Sequence, residues 1–183
     1  MRKKTPINYC TYCGYKVSIA IPDGDNRERH VCVECGEIQY QNPKIVAGCL
    51  PVWEDRILLC KRAIEPRKGY WTIPAGFMEN DETIEEGAVR ETWEEACARV
   101  TELHLYQIYN VTRVNQIYML FRAELCEPDG FGVGPESLEV GLVEEKDIPW
   151  EEIAFKVIQN TLERYLEERR HGRYTFNMAS TDH

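Results

Sequence analysis

The chain reads GFMENDETIEEGAVRETWEEA from Gly76 to Ala96, and this segment contains the start of a helix. Its first part is rich in turn formers, with Asn80-Asp81 at the centre. Thr83 is followed three residues later by Glu86, which is the spacing of a capping box. In that motif each side chain accepts a hydrogen bond from the backbone N–H of the other residue. The pattern therefore predicts a helix that begins near Thr83.

The face of this helix that should be buried carries carboxylates. Ile84 and Ala88 begin an apolar stripe, but the positions that continue it are Glu91 and Glu95. Glu94 lies one turn after Glu91 and borders the same face. Like charges that are buried together are costly unless one of them is protonated or a cation lies between them.

Magnesium suits such a cluster, because hard divalent cations prefer oxygen ligands and Mg²⁺ often binds carboxylates together with substrate phosphates. The alternative is a solvated, glutamate-rich helix, which is common in acidic proteins and accounts well for Glu85 and Glu86. It does not account for glutamates that continue the apolar face. We therefore expect a metal site on this helix.

The segment resembles the signature of the Nudix hydrolases, G-x5-E-x7-R-E-U-x-E-E-x-G-U, in which U is an apolar residue. Six fixed positions are present at the family spacing: Gly76, Glu82, Arg90, Glu91, Glu94 and Glu95. The chain departs from the pattern at Cys97, where the family has glycine, at Thr92 and Ala98, which occupy apolar positions, and at Ala75, which replaces a common glycine. Cys97 needs a helix cap without positive φ, or a mildly strained one.

The resemblance implies an α/β/α sandwich with a mixed sheet and a metal-dependent hydrolysis of a diphosphate bond. It implies that Mg²⁺ or Mn²⁺ is held by three carboxylates and one backbone carbonyl, those of Glu91, Glu94, Glu95 and Gly76. Arg90 would hold Glu82 or a ligand carboxylate in place. The metal would polarise the diphosphate and neutralise the leaving phosphate.

Strand patterns surround the signature. Two runs rich in Val, Ile and Leu, Lys44–Trp53 and Ile57–Arg62, flank the short turn 54–56 and predict a hairpin. Further strands are predicted at 71–74, 103–109, 116–125 and 140–143, and a second helix from about Trp150 to Arg169. These elements indicate an α/β domain with a mixed sheet, which we place at residues 41–170. Residues 171–183 are predicted to form a polar, mobile tail.

A separate cysteine pattern lies in residues 1–40. Two C-x-x-C pairs, each followed by glycine, supply Cys10, Cys13, Cys32 and Cys35. Four thiolates complete a closed tetrahedral zinc site, so that Zn²⁺ would be structural. The alternatives are two disulfides, which a reducing cytosol disfavours, and a redox C-x-x-C, which would not need a duplicate. We predict a zinc ribbon that requires its metal to fold.

Composition and charge narrow the class of protein. No run approaches the roughly 18 apolar residues of a membrane helix, and the basic Met1–Pro6 segment is not followed by a signal-peptide core. We expect a cytoplasmic protein with no membrane partner. The net charge of −9 argues against long nucleic acids. It does not argue against nucleotides, because a bound metal reverses the local charge.

The substrate class is predicted from weaker resemblances. A zinc ribbon before a Nudix domain resembles the NADH pyrophosphatases, but their S-Q-P-W-type motif is missing from this sequence. The stretch 109–118, with 136–140 and 148–150, looks closer to members that act on ADP-ribose and FAD. We expect one of these two substrates, with release of AMP. The alternatives are an NADH or dinucleoside-polyphosphate pyrophosphatase, and a non-catalytic nucleotide sensor.

Several side chains are candidates for contact with such a substrate. Phe77, Tyr109 and Tyr118 are aromatic residues that can stack on a base or flavin ring, although core positions suit them as well. Arg113 is a candidate for contact with a phosphate. The resemblance also implies a further glutamate from a later loop, for which the candidates are Glu136 and Glu139. Ribbon-bearing members often pair, so we expect a homodimer.

Overall fold

The computed structural model describes residues 7–180. Its strands form two separate sheets, one in each of the two units of the chain. The first unit, Met1–Asn42, contains an antiparallel three-stranded sheet. Its strands are β1 (Val17–Ala20), β2 (Arg29–Cys32) and β3 (Ile38–Gln39). The second unit is Pro43–His183.

The second unit is built on one large sheet. Its strands are β4 (Lys44–Trp53), β5 (Arg56–Arg62), β6 (Trp71–Thr72), β7 (Ala75–Phe77), β8 (Val100–Val111), β9 (Gln116–Leu125), β10 (Ser137–Val143) and β11 (Asn177–Ser180). The strand order is β10-β5-β4-β9-β8-β11, while β6 pairs with β5 and β7 pairs with β4. The β4–β9 and β8–β11 pairs are parallel and the others antiparallel. The sheet is therefore mixed, as predicted.

Two helices, α1 (Ile84–Ala96) and α2 (Lys156–His171), cover opposite faces of this sheet. Along β4, Cys49 packs in one apolar cluster with Ala88 of α1, whereas the next residue, Leu50, packs in another with Leu162 of α2. Successive side chains of a strand point to opposite faces, so the two helices lie on either side of the sheet. This arrangement confirms the α/β/α sandwich. Within residues 7–180, neither helix is long and apolar enough to cross a membrane.

Helix α1 begins where the capping box predicts. The hydroxyl of Thr83 accepts the backbone N–H of Glu86 at 3.2 Å, and the Glu86 carboxylate accepts the backbone N–H of Thr83 at 2.7 Å. The helix ends at Cys97, which adopts the left-handed conformation with φ of 47°. Of the two caps considered for Cys97, the strained one with positive φ is therefore the one that occurs.

Helix α2 begins later than predicted, at Lys156 instead of Trp150. Residues Trp150–Glu152 form a 3₁₀ turn, and Ile153 forms a parallel bridge with Trp71 of β6. The apolar periodicity of the helix is present from residue 155 onward. Just before α2, Ile153 and Ala154 are instead held to β6 by backbone pairing with Trp71.

The mobile-tail prediction is wrong for Asn177–Ser180. These residues form β11, which pairs in parallel with Gln107–Asn110 of β8. Helix α2 is capped at its C-terminus by Gly172, whose positive φ of 62° lets the chain turn back toward the sheet. The remaining part of the predicted tail, residues 181–183, lies outside the described residues.

Candidate active site

The carboxylates of α1 divide into two that are buried and one that is exposed. Glu91 and Glu95 retain only 9% and 5% of their accessible surface, whereas the Glu94 side chain is 52% exposed. The expectation that three carboxylates share the buried face is therefore correct for two of them. Glu94 lies at the border of this face, because at 3.6 residues per turn it is about 60° around the helix from Glu91 and about 100° from Glu95.

One guanidinium group, that of Arg90, contacts three of the four signature glutamates, which are Glu82, Glu91 and Glu94. Its Nε and Nη2 atoms donate to the two carboxylate oxygens of Glu82 at 2.9 and 2.8 Å. Its Nη1 donates to Glu91 at 2.7 Å and to Glu94 at 3.0 Å, and Nη2 also donates to the carbonyl of Phe77 at 3.1 Å. Arg90 therefore connects the loop before α1 to the carboxylates on the helix, in the bidentate geometry that only arginine provides.

The local environment moves the pKa values of these carboxyl groups in opposite directions. Hydrogen bonding from Arg90 lowers the pKa of Glu82 to about 2. Burial raises the pKa of Glu91, against the opposing effect of Arg90. Burial also raises the pKa of Glu95 to about 8, although the Ala75 N–H donates to its carboxylate at 3.3 Å. Glu95 is thus a buried acid whose ionised form lacks a compensating positive charge in direct contact.

Two glycines allow the backbone to approach this cluster. A Cβ atom at Gly76 would lie 2.3 Å from the Glu91 carboxylate, and one at Gly134 would lie 1.8 Å from the Glu94 carbonyl oxygen. The Gly134 N–H donates to the carbonyl of Glu95 at 3.1 Å, and the Gly132 N–H donates to that of Ala96 at 2.7 Å. The loop that precedes β10 is therefore held against the C-terminal turn of α1.

A cavity of about 420 Å³ lies over the carboxylates. Its lining includes Glu91, Glu94 and Glu95 from α1, Gly76 and Phe77 from β7, and Glu136 from the loop before β10. This volume falls within the range of small-molecule sites, which is about 300–1,000 Å³. Burial is the main cause of the raised pKa values of Glu91 and Glu95, and the charge of Glu136 adds to both.

The structure separates the predicted substrate contacts into two groups. Phe77 and Tyr118 line the cavity, together with Glu136. Tyr109 does not line it; this residue is buried in the core beside α2, where its hydroxyl accepts a hydrogen bond from Asn160 at 2.6 Å. Tyr109 is therefore a core residue at this position in the fold.

Arg113 and Glu139 are also absent from the described lining of the cavity. Arg113 is exposed in the 3₁₀ turn Thr112–Val114, between β8 and β9. Glu139 faces solvent on β10, and its carboxylate lies 3.7 Å from the Lys61 ammonium. Of the two later-loop glutamates, Glu136 alone belongs to this cavity.

Sequence reasoning missed other lining residues, notably Arg62 and Phe155. Arg62 ends β5, and Phe155 immediately precedes α2. These residues are far apart in the chain and belong to no local motif. The only sequence signal for Arg62 was its position at the end of a predicted strand. Phe155 was interpreted as the first apolar residue of a helix, which gave no indication of a role in the site.

The carboxylate cluster is chemically suited to a divalent metal. Two buried carboxylates with raised pKa values, a third beside them and a fourth on the facing loop provide hard oxygen ligands and an uncompensated negative charge. A cation in this position would remove the cost of ionising Glu95. The donor set therefore fits Mg²⁺ or Mn²⁺.

The first unit contains a second candidate metal centre. The sulfur atoms of Cys10, Cys13, Cys32 and Cys35 all lie within 4.8 Å of one another, and no disulfide joins them. Three of the contacts measure 3.3, 3.4 and 3.8 Å. A zinc tetrahedron with Zn–S bonds of about 2.3 Å has sulfur–sulfur edges of about 3.8 Å. The backbone N–H of Cys35 lowers the pKa of Cys32 to about 6, whereas the pKa values of Cys13 and Cys35 are raised by hydrogen bonds with neighbouring thiols, against those from the backbone.

Comparison with protein-family models assigns both units. The model described as NUDIX domain matches residues 42–167, and the model described as Nudix N-terminal matches residues 8–41. The four-cysteine cluster lies within the second of these matches and supports structural zinc.

The chain is similar to proteins of several bacteria. The crystal structure of a NUDIX hydrolase from Nitrosomonas europaea is 52% identical, with a TM-score of 0.92, over 97% of this chain and 100% of that one. A MutT-like protein of Streptomyces ambofaciens is 38% identical over 46% of this chain and 51% of its own length. An NAD-capped RNA hydrolase of Chromobacterium violaceum is 31% identical over 70% of this chain and 47% of its own length. The matches thus span about half the length of these two curated relatives.

Proposed function

Because the chain belongs to the Nudix hydrolase family, we propose that its cavity hydrolyses the diphosphate bond of a nucleoside-diphosphate derivative. ADP-ribose and FAD are the substrates we assign, and AMP is the common product. The observation that carries this proposal is the juxtaposition of Glu91, Glu94, Glu95 and Glu136 along one cavity of about 420 Å³. Such a site suits a metal-bound diphosphate between two organic groups.

The residues that we assign to the divalent cation are Glu91, Glu94 and Glu95, with the backbone carbonyl of Gly76. The chemistry that Mg²⁺ supplies when it is bound is charge neutralisation on the diphosphate oxygens and on the departing phosphate. Arg90 keeps the ligand carboxylates in position, because it contacts Glu91 and Glu94 while its other edge is fixed to Glu82.

Glu136 is the carboxylate that we assign to accept a proton from the attacking water. It lines the cavity and it comes from outside α1, so it remains available when the helix carboxylates hold the cation. Its backbone is fixed by a hydrogen bond from the Ala63 N–H to its carbonyl, at 2.8 Å. The reaction adds one water across the P–O–P bridge of ADP-ribose and yields AMP and ribose 5-phosphate.

Arg62 is the residue that we assign to the non-bridging phosphate oxygens. Two arginines line the described cavity, and Arg90 is fully engaged with carboxylates and a carbonyl. Arg62 uses only its Nε, which donates to the Pro66 carbonyl at 2.9 Å. Its terminal nitrogens remain free to donate to a phosphate. The rings of Phe77 and Tyr118 offer surfaces for the base or for the second organic group.

A second candidate substrate is NADH, which has the same diphosphate core. The observation that favours it is the 31% identity with a protein named as an NAD-capped RNA hydrolase. The S-Q-P-W-type motif of the NADH pyrophosphatases is missing from this sequence, which favours ADP-ribose or FAD. The net charge of −9 disfavours an RNA chain as part of the substrate.

The test is a product assay with matched glutamine variants. ADP-ribose, FAD, NADH and diadenosine polyphosphates are each incubated with the protein and Mg²⁺, and the products are separated by chromatography. We expect AMP from ADP-ribose or FAD, and a loss of rate of at least about 100-fold in Glu95→Gln. Glu85→Gln is the control, because Glu85 is an exposed residue in the first turn of the same helix.

The outcomes separate the candidate functions. AMP from NADH but not from ADP-ribose or FAD would select the second candidate. Tight binding without cleavage of any compound would contradict hydrolysis and indicate a nucleotide sensor. Cleavage that is equally fast in Glu95→Gln and Glu85→Gln would contradict the assignment of the site. The homodimer stays a prediction, which sedimentation of the same sample tests.

A further inference from the structure

Arg62 lies against the face of an aromatic ring at the edge of the cavity. The guanidinium carbon is 5.1 Å from the centroid of the Phe155 ring, which is the distance of a cation–π contact. Both residues line the cavity, and each comes from a different part of the chain. The contact therefore joins the end of β5 to the segment that leads into α2.

Three hydrogen bonds fix the backbone and the Nε atom of Arg62. Its backbone N–H donates to the Tyr70 carbonyl at 2.9 Å, and its own carbonyl accepts the Gly69 N–H at 2.8 Å. Its Nε donates to the Pro66 carbonyl. These bonds define where the side chain starts and how its guanidinium plane is oriented, but they leave the terminal nitrogens without an acceptor among residues 7–180.

Backbone hydrogen bonds to β6 and α2 fix the segment that carries Phe155. The preceding residue, Ala154, donates its N–H to the Trp71 carbonyl of β6 at 2.8 Å. The Phe155 carbonyl accepts the N–H groups of Ile158 and Gln159 in the first turn of α2. The Phe155 backbone is thus fixed between a strand and a helix, and its side chain packs against the main apolar cluster of the core, so its ring offers a supported surface to the guanidinium.

We propose that Phe155 is a positioning residue, whose ring fixes the Arg62 guanidinium so that its free N–H groups face the diphosphate of the substrate. This inference rests on the proposed function of the cavity. An arginine side chain loses substantial rotamer entropy when it is ordered, and a contact formed before the substrate arrives removes part of that cost from binding. Phe155 therefore acts on substrate affinity through Arg62 and not by its own contact with the reacting atoms.

The environment of the pair supports this assignment. Arg62 lines the cavity together with Glu95 and Tyr118. No carboxylate forms an ion pair with Arg62 in the described part of the chain. A phosphate that enters the cavity beside Glu95 would thus meet donors that are oriented but unpaired.

A double-mutant cycle tests the proposal. The four proteins are the wild type, Phe155→Leu, Arg62→Gln and the double variant, each assayed for KM and kcat with ADP-ribose or FAD and for Kd by calorimetry. Phe155→Tyr keeps the ring and serves as the conservative rescue. Arg67→Gln is the matched control, since Arg67 lies at the same 5.1 Å from a ring, that of Tyr70, outside the cavity lining.

We expect Phe155→Leu to raise KM and Kd about 3- to 10-fold with little change in kcat. Phe155→Tyr and Arg67→Gln should remain within about twofold of the wild type. In the Arg62→Gln background, Phe155→Leu should have no further effect, because the group that it positions is gone. If Phe155→Leu unfolds, Phe155→Met, which preserves the side-chain volume more closely, takes its place in the cycle.

Additive effects in the cycle would overturn the proposal, because they would mean that Phe155 contacts the substrate itself or acts only through packing. Failure of the proposed function is a distinct result. If the wild type binds ADP-ribose or FAD but does not cleave either, the Kd cycle still decides whether Phe155 positions Arg62. If the wild type binds neither compound, the positioning proposal and the substrate assignment both fail.

Discussion

At the scale of single residues, the site depends on how charges are arranged around Arg90. One guanidinium holds Glu82 by two hydrogen bonds and also contacts Glu91, Glu94 and the Phe77 carbonyl. A lysine at this position would keep the charge but lose the planar fork that satisfies several acceptors at once. The carboxylates would then be free to adopt other rotamers.

We predict that Arg90→Lys lowers kcat about 10- to 100-fold, as is usual when the partner that orients a metal ligand is removed. Steady-state kinetics with saturating Mg²⁺ measure the effect. The control is Arg99→Lys, since Arg99 lies over the exposed Trp93 ring and outside the cavity lining. Equal kcat values for Arg90→Lys and the wild type would contradict a role in orientation.

Glu95 makes the stability of the second unit depend on pH when no divalent cation is present. Burial raises its pKa from 4.5 to about 8, so the folded state binds a proton more tightly than the unfolded state. This stabilisation is complete below the unfolded pKa and is lost as pH rises toward 8. Ionised Glu95 is then buried without a compensating cation.

We predict that the Tm of the wild type without added divalent cations falls between about pH 5 and pH 8.5, and that Glu95→Gln reduces this fall. Added Mg²⁺ should raise the Tm of the wild type more at the higher pH, because the cation and the proton compete for the same carboxylate. Scanning calorimetry of both proteins measures these effects. Parallel pH profiles would mean that Glu95 does not carry the raised pKa.

At the scale of elements, the loop before β10 and the end of α1 form one assembly. Gly132 and Gly134 donate backbone N–H groups to the last carbonyls of the helix, and the same loop brings Glu136 to the cavity. The approach is so close that a Cβ atom at Gly134 would lie 1.8 Å from the Glu94 carbonyl oxygen. The position of Glu136 therefore depends on a glycine two residues earlier.

We predict that Gly134→Ala destabilises the protein by about 1–3 kcal/mol and also lowers kcat, because the loop must move away from α1. Urea unfolding and steady-state kinetics measure the two effects. Gly141→Ala is the control, since a Cβ atom there meets only Val143, at an ordinary 3.9 Å. If both variants behave like the wild type, the loop is not held as described.

The sequence was sufficient for the elements with strong local signals. The hairpin strand Lys44–Trp53 and the strand Gln116–Leu125 have the predicted bounds, and the capping box places the start of α1 correctly. The later start of α2 and the strand β11 depend on pairing with distant strands. Asn177–Ser180 has little β-propensity of its own, so no local pattern could have indicated this strand.

The candidate site was predictable only where one motif contains its residues. The six signature residues belong to a single gap-free segment, and all of them except Glu82 line the cavity: Gly76, Arg90, Glu91, Glu94 and Glu95. Tyr109, Arg113 and Glu139 were chosen by residue type, and none of them lines the cavity. Tyr109 is the cross-strand partner of Tyr118, but its hydroxyl is held by Asn160 of α2. Arg113 lies in an exposed turn and Glu139 faces solvent, and no local pattern in the sequence contains these tertiary positions.

At the scale of the whole molecule, the chain consists of a metal-dependent module and a domain with its own core. The described part of the first unit has three short strands and a cluster of four thiols, while the second has apolar clusters on both faces of its sheet. A module as small as the first rarely folds without a metal or disulfides. We expect the second unit, which has its own apolar core, to fold without zinc.

We predict that Cys32→Ala reduces the zinc content from one ion per chain to none and removes amide-exchange protection in residues 8–41. Protection in residues 43–180 should persist, because its source is the packed core. Elemental analysis and hydrogen exchange measure the two results. Cys126→Ala, at an exposed cysteine outside the cluster, is the control that should retain its zinc. Global loss of protection in Cys32→Ala would contradict the independence of the two units.

The most direct test of the account is ³¹P NMR of ADP-ribose with the protein and Mg²⁺. We predict that the diphosphate resonances disappear and that two phosphomonoester resonances replace them, with Glu95→Gln inactive and Glu85→Gln active. Unchanged diphosphate resonances for ADP-ribose, FAD and NADH, in a sample that binds one of them by calorimetry, would contradict the claim that this cavity hydrolyses a diphosphate bond.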